Sequence, residues 1–383
     1  EEFSKFHVVL GNEACDLDST VSALAYAFFL HKVRKNIEHV AHVPVLNIPR
    51  ADLPLRTEIT FFLAQQDIPT DSLTFRDDIN LTALHSQDKL SLTLVDHNVI
   101  RGPGDQDLES VVVEVIDHHK DERPESNVCE KTVETVGSCT TLVAERILEK
   151  DATVMDKQLA TLLIGTILVD TVNRSVEAQK VTPKDEDILG RLKDFCPEVD
   201  EGELFQSIQE AKFDISELSV PDLLRKDLKS ISNNDITIAM ASITMDLEEL
   251  LDKPNVIESM KEFCSRQDAK VLVVMTISTN KTGGMERQLA VYSEDSILRE
   301  RVAETLDTAT NVTLGLSHFE TGIPTLRAYH QGNVAASRKK VLPILQDFLQ
   351  TPFQEPSKPH LAETRGLFSP ESSDTGFDKT PDS

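Results

Sequence analysis

Tryptophan is absent from this chain and tyrosine occurs only three times in 383 residues, so a core has to be built from aliphatic side chains and sixteen phenylalanines. Apolar residues still make up 39% of the sequence, which excludes a fibrous or fully disordered chain. Basic residues are scarce: 39 Lys and Arg against 65 Asp and Glu leave a formal net charge of -26. A surface this acidic repels nucleic-acid backbones and acidic membranes at long range, so a phosphate ligand needs a local basic patch or a metal ion. No run approaches the roughly 20 apolar residues of a membrane helix, and Phe6 to Leu10 is too short for a signal-peptide core. The five cysteines, Cys15, Cys129, Cys139, Cys196 and Cys264, are odd in number and form no CxxC pair. That excludes a disulfide framework and a thiolate zinc site, and leaves reduced thiols of a cytosolic protein, with a nuclear pool also open. The first residue is Glu1 rather than Met, which leaves an upstream targeting segment open.

What is present has the pattern of two α/β domains. A chain of 383 residues exceeds what one core usually covers. Short apolar runs at Val8 to Leu10, Val43 to Ile48, Leu92 to Val95 and Val111 to Ile116 alternate with helical patterns, as in βα units around a parallel sheet. Val21, Leu24, Ala25 and Phe28 recur at helical spacing, with Ser19 placed to cap that helix. Further helices are expected from Ser138, over Leu159 to Val169, over Pro183 to Phe195 and over Glu201 to Phe213. The second half offers strands at Ile236 to Ile243, Val271 to Ile277 and Gln288 to Tyr292, with a helical stretch from Asp246 to Cys264. These readings place a parallel-sheet domain at 1–200, a smaller mixed α/β domain at 201–352, and a tail at 353–383 too poor in large apolar residues to order.

Three of the strands end in the same chemistry. Val8 to Leu10 leads to Asp16 and Asp18, Leu92 to Val95 to Asp96-His97-Asn98, and Val111 to Ile116 to Asp117-His118-His119. The carboxyl ends of parallel strands share one edge, so these side chains converge, and Asp170 can reach the same edge from the end of the run Leu162 to Val169. Singly, each Asp has about even odds of being only a turn former or helix cap. Together, four or five carboxylates in one crevice repel one another unless a cation neutralises them. Carboxylate and imidazole donors suit magnesium or manganese.

Those residues carry a resemblance. Asn12-Glu13-Ala14-Cys15-Asp16-Leu17-Asp18-Ser19, Val95-Asp96-His97-Asn98, Asp117-His118-His119 and Leu168-Val169-Asp170-Thr171 resemble the four ordered motifs of the DHH phosphoesterases. Gly137-Ser138-Cys139 and the run Gly11 to Ser22 are similar to the prune branch, relatives of exopolyphosphatases and manganese-dependent family II pyrophosphatases. The resemblance implies a parallel-sheet DHH domain followed by a DHH-associated domain. It implies two divalent ions, magnesium or manganese, held by Asp16, Asp18, Asp96, His118 and Asp170, with His119 facing the substrate phosphate and Asp117 assigned with it to catalysis. Asn12 stands where the pyrophosphatase pattern has a ligating His, and is assigned to the substrate side with a leaning toward magnesium.

Near the end of the second domain, Ser337-Arg338-Lys339-Lys340 is a basic run in an acidic chain. As three charges alone it reads as a solvated helix start. The resemblance instead assigns Arg338 and Lys339 to the outer phosphates of an anhydride, with Lys212 and Arg287 as further phosphate contacts. Gly283-Gly284-Met285 lacks the histidine of the Gly-Gly-His motif found in nuclease relatives, which disfavours nucleic-acid cleavage. The expected activity is hydrolysis of short polyphosphates, with pyrophosphate as a further substrate. Two alternatives remain: a cyclic-nucleotide phosphodiesterase using the same site, and an interaction protein of cell motility. The family resemblance names nucleoside diphosphate kinase as a partner for the latter, and Ser369-Pro370 and Thr380-Pro381 are candidate phosphorylation sites in the tail.

Overall fold

A computed structural model describes residues 3–33, 39–102, 104–122, 130–280 and 283–350. The expectations for Cys129, for the 353–383 tail and for its two phosphorylation sites lie outside the described residues. The first half runs β1 (Lys5–Leu10), α1 (Leu17–Val33), β2 (Val40–Leu46), α2 (Thr57–Gln65), β3 (Thr74–Phe75), α3 (Leu81–Ser86), β4 (Leu90–Val95), β5 (Val112–Asp117), β6 (Glu130–Val133), α4 (Cys139–Asp151), α5 (Lys157–Asp170), α6 (Pro183–Lys193) and α7 (Glu201–Phe213). A 3-10 turn at Arg50–Leu55 precedes α2.

Its six strands pair in the order β3-β2-β1-β4-β5-β6, every pair parallel. Alternation along the strands sends Val9, Leu46, Val95 and Ile116 to one face, against α1, α2, α4 and α5. Val8, Leu10, Val45, Leu92 and Leu94 go to the other face, under Leu81 and Leu108. The helix α5 is buried from Leu159 to Val169, so it reads as a continuous apolar run rather than an amphipathic one.

The second half runs α8 (Val220–Lys226), β7 (Leu228–Ser232), β8 (Thr237–Ile243), α9 (Leu247–Leu251), α10 (Val256–Arg266), β9 (Val271–Thr279), β10 (Met285–Tyr292), α11 (Ser296–Asp307), β11 (Leu316–Phe319), β12 (Leu326–Gln331) and α12 (Arg338–Gln350). Its sheet has the order β11-β12-β10-β9-β8-β7, with β8 and β9 parallel and the other pairs antiparallel. One face packs on α8, α9 and α10, the other on α11 and α12. The expected Asp246 to Cys264 helix is two helices, because Asn255 adopts a left-handed φ of 55° directly after Pro254.

Although charged enough to read as a connector, α7 buries Leu204 and Ile208 in the first core, whereas Ile215 and Leu218 already pack in the second. The chain therefore changes cores at Asp214, past the expected boundary at residue 200. Where they meet, Arg225 of α8 pairs with Asp52 at 2.6 Å, and the Lys226 ammonium donates to the Leu55 carbonyl at 2.7 Å. Ile208→Ala should cost about 2–5 kcal/mol by opening a cavity under α7. Chemical denaturation measures this, and a loss below about 1 kcal/mol would mean that α7 is not part of that core.

Candidate metal centre

Strand order reverses between β1 and β4, so the loops leaving their carboxyl ends part and open a crevice between them. The β1 loop is closed tightly: a Cβ on Gly11 would stand 2.3 Å from Ser19 Oγ, and only glycine fits. That hydroxyl accepts the Asn12 backbone N–H at 2.7 Å instead of capping α1. Asp16 caps α1, its Oδ1 accepting the Ser19 N–H at 3.1 Å, because the helix starts at Leu17. Asp18, buried one turn further, caps a different helix. Its Oδ2 accepts the Cys139 N–H at 2.6 Å and its Oδ1 the Thr140 N–H at 2.7 Å, at the start of α4.

Beyond β4, Asp96 is buried and held at a left-handed φ of 63°, rare for a residue with a Cβ and frequent where function imposes it. The Asn12 amide donates to its Oδ2 at 2.7 Å and to its carbonyl at 3.1 Å, leaving Oδ1 buried without a hydrogen-bond partner. His118, after β5, lies with Nδ1 3.0 Å from the Val136 carbonyl, which can only accept. Nδ1 therefore carries a proton, and Nε2 faces Asp96 Oδ1 at 3.3 Å and Asp18 Oδ2 at 3.6 Å. Candidate ligand atoms of Asp96, His118 and His119 all lie within 4.8 Å of one another.

Electrostatics agree with the geometry. Burial, reinforced by the charges of Asp18 and Asp16, pushes the Asp96 carboxyl up to about 10. Asp170, at the end of α5, is raised well above the carboxylate range by burial and then by Asp18. Its Oδ2 is buried and unpaired, with the Ser138 hydroxyl nearby but outside hydrogen-bond geometry. Asp16 is exposed at the rim, yet withdrawal from water by the cleft walls and the Asp18 charge raise it too. Orphaned carboxylate oxygens and an imidazole nitrogen directed at one another are the donor set of a divalent ion.

Other expected residues have different duties. Asp117 is fully buried, its Oδ1 accepting from the backbone N–H of His118 and from His119 Nδ1, both at 2.8 Å, and its Oδ2 from Asn98 at 2.5 Å. It positions His119 from the wall of the cleft. Burial alone would raise Asp117, but these hydrogen bonds outweigh it and hold the carboxyl below its usual value. His119 is half-exposed, and its bond to Asp117 raises its imidazole above the ordinary range. The Asn12 oxygen accepts the Cys15 N–H at 3.0 Å, so Asn12 orders the loop and Asp96 while also lining the cleft. Arg338 is bound to the carbonyl and carboxylate of Asp227, Arg287 donates to the Val334 carbonyl that leads into α12, and Lys339 is exposed. None of these three lines the cleft of about 410 Å3 around Asp96 and His119.

Sequence reasoning missed Asn98, Arg56, Arg101 and Lys120. Asn98 holds Asp117 and the Lys120 carbonyl, and its place directly after Asp96-His97 was the available signal. Arg101 and Lys120 line the cleft. Arg56 donates twice to the Ala14 carbonyl in the β1 loop, from a distance of 42 residues that no local pattern spans.

Comparison with known proteins identifies the family. The DHH family N-terminal domain model matches residues 7–167 and the DHHA2 domain model residues 206–348. Exopolyphosphatase PRUNE1 of Homo sapiens is 44% identical over 354 residues, covering 92% of this chain and 78% of its own. The chain belongs to the prune branch of the DHH family. A putative exopolyphosphatase of Schizosaccharomyces pombe is 33% identical, covering 89% of this chain and 90% of its own. More distantly, a manganese-dependent inorganic pyrophosphatase of Methanothrix thermoacetophila is 25% identical, over 70% of this chain and 79% of its own. Among the described residues no helix is long and apolar enough to cross a membrane.

A site kept for a metal costs stability when empty. Asp170→Asn should raise the thermal midpoint of the metal-free chain at neutral pH by about 2–4 °C, since it removes a buried carboxyl whose raised pKa costs stability above the unfolded value. It should also abolish most of the stabilisation given by added manganese. A lower midpoint with undiminished manganese stabilisation would place Asp170 outside the centre.

Proposed function

We propose that this chain is a metal-dependent phosphohydrolase that cleaves phosphoanhydride bonds in short inorganic polyphosphates, with pyrophosphate as a further substrate. The observation that carries the reading is the meeting of His118 Nε2, Asp96 Oδ1 and Asp18 Oδ2, an imidazole and two buried carboxyls, at the sheet's switch point. Two divalent ions, magnesium or manganese, would be held by Asp16, Asp18, Asp96, His118 and Asp170. When bound, such ions polarise a phosphoryl group and lower the pKa of attacking water.

Hydrolysis adds water across a P–O–P bridge: a new P–O bond forms, the bridging bond breaks, and the leaving phosphate keeps its electron pair. His119 serves that leaving group. Asp117 holds its Nδ1–H and raises its pKa, so Nε2–H is retained to donate to a phosphoryl oxygen. Asn98 and the strand end at Asp117 fix this pair, so the donor is oriented before substrate arrives. Lys212, whose charge acts on Asp16, is placed for a phosphate near the metal rim. Arg338 and Lys339 hold outer phosphates, Arg338 exchanging Asp227 for substrate, while Arg287 supports the segment that carries them. The interaction reading, with nucleoside diphosphate kinase as partner and only weak catalysis at this centre, would act through the 353–383 tail.

Full-length protein should release phosphate from tripolyphosphate with magnesium or manganese and lose that activity on chelation. His119→Ala should slow turnover at least about a hundredfold. Steady-state assays with pyrophosphate, tripolyphosphate, tetrapolyphosphate and cyclic nucleotides decide the matter. Turnover that survives chelation, or that is confined to cyclic nucleotides, would replace the anhydride reading.

A further inference from the structure

Residues 55–57, between the 3-10 turn and α2, gather three cations in a chain that is otherwise strongly acidic. Leu55 supplies the carbonyl that accepts the Lys226 ammonium at 2.7 Å. Arg56 is itself the second cation, and its guanidinium donates to the Ala14 carbonyl at 2.8 and 3.1 Å, beside the metal loop. The Thr57 hydroxyl donates to the Lys212 carbonyl at 3.2 Å and so fixes the end of α7 from which the third cation projects. None of the three forms an ion pair with a carboxylate among the described residues, although Arg50, Arg76 and Arg225 nearby all do.

Clustering like charges is costly in the same way as clustering carboxylates. Burial holds the Lys226 ammonium below its ordinary pKa; the buried Glu58 opposes this, and the charges of Arg56 and Lys212 add to it. On one side the cluster reaches the metal rim, where Arg56 acts on Cys15 and Lys212 on Asp16. On the other side Lys226 is followed by Asp227, whose carbonyl and carboxylate bind Arg338. The segments that carry Arg56, Lys226 and Arg338 are thus joined by these contacts across the junction of the two domains.

We propose that Arg56 and Lys226 form a subsite for the distal phosphates of a linear polyphosphate, which lets the enzyme hold longer chains more tightly than pyrophosphate. This deepens and rests on the phosphoanhydride reading of the metal centre. Arg56 doubles as a positioning residue for the Ala14 loop, so Lys226 gives the cleaner test. The competing role for Lys226 is docking alone, which it shares with its neighbour Arg225.

The test compares Lys226→Gln, Lys226→Arg and Arg225→Ala in the full chain with saturating manganese. Lys226→Gln should raise KM for tetrapolyphosphate about fivefold to tenfold and leave KM for pyrophosphate within about twofold, with kcat little changed. Lys226→Arg should restore the preference, and Arg225→Ala should shift both substrates alike. Calorimetric binding of tetrapolyphosphate and pyrophosphate in a His119→Ala background reads the subsite even if the chain hydrolyses neither. Selective loss of tetrapolyphosphate binding in Lys226→Gln would then support the subsite while the hydrolytic reading fell. Equal shifts on both anions, or none on either, would overturn the subsite and leave Lys226 a docking residue.

Discussion

The centre depends on one electrostatic constraint, the crowding of the buried Asp96 and Asp18 carboxyls around His118 Nε2. His118 is oriented by its Nδ1–H on the Val136 carbonyl, and the cluster is held in place largely by backbone groups. Asp96 is locked by its left-handed turn and by the Asn12 amide, Asp18 by two N–H groups of α4, and His118 by the segment before that helix. No member can swing away to relieve the repulsion, so the metal-free site keeps protons on its carboxyls and a bound cation would take their place.

Much of the surrounding fold keeps that crowding in place. Asp16 and Asp18 each cap a helix with the carboxylate that also faces the centre, so the same group stabilises the scaffold and supplies charge to the site. Gly137 serves the same end: its N–H donates to the buried Asp185 at 2.9 Å, and a Cβ there would strike Thr171 at 2.5 Å. This close approach ties the start of α4 to the end of α5, which bears Asp170. Substitutions in this layer therefore act on folding and on the centre together, which separates them from changes on the exposed rim.

Most of the catalytic edge was legible because it is local: an apolar run followed at once by Asp or His needs no knowledge of distant contacts. The strands β1, β2, β4 and β5 and the helices α4 to α7 were read from periodicity. The two-residue β3 and the partly exposed β6 carry too few apolar residues to register, and β7 and β11 are edge strands with the same weakness. Partnerships were the larger loss. That Asp16 rather than Ser19 caps α1, that Asp117 serves His119, and that Asn12 is spent on Asp96 and Cys15 depend on angles and distances across the sheet edge. Arg56 and Lys226 matter only through 42 and 171 residues of sequence separation, which composition cannot bridge.

The account stands most directly on where a metal binds. Crystals of the full chain grown with manganese, with anomalous diffraction recorded at the manganese edge, make that visible. The account predicts two peaks among Asp16, Asp18, Asp96, His118 and Asp170, one of them touching Asp96 and His118 Nε2. Absence of any peak there, with His118 Nε2 still set against the Asp96 carboxyl, would contradict it.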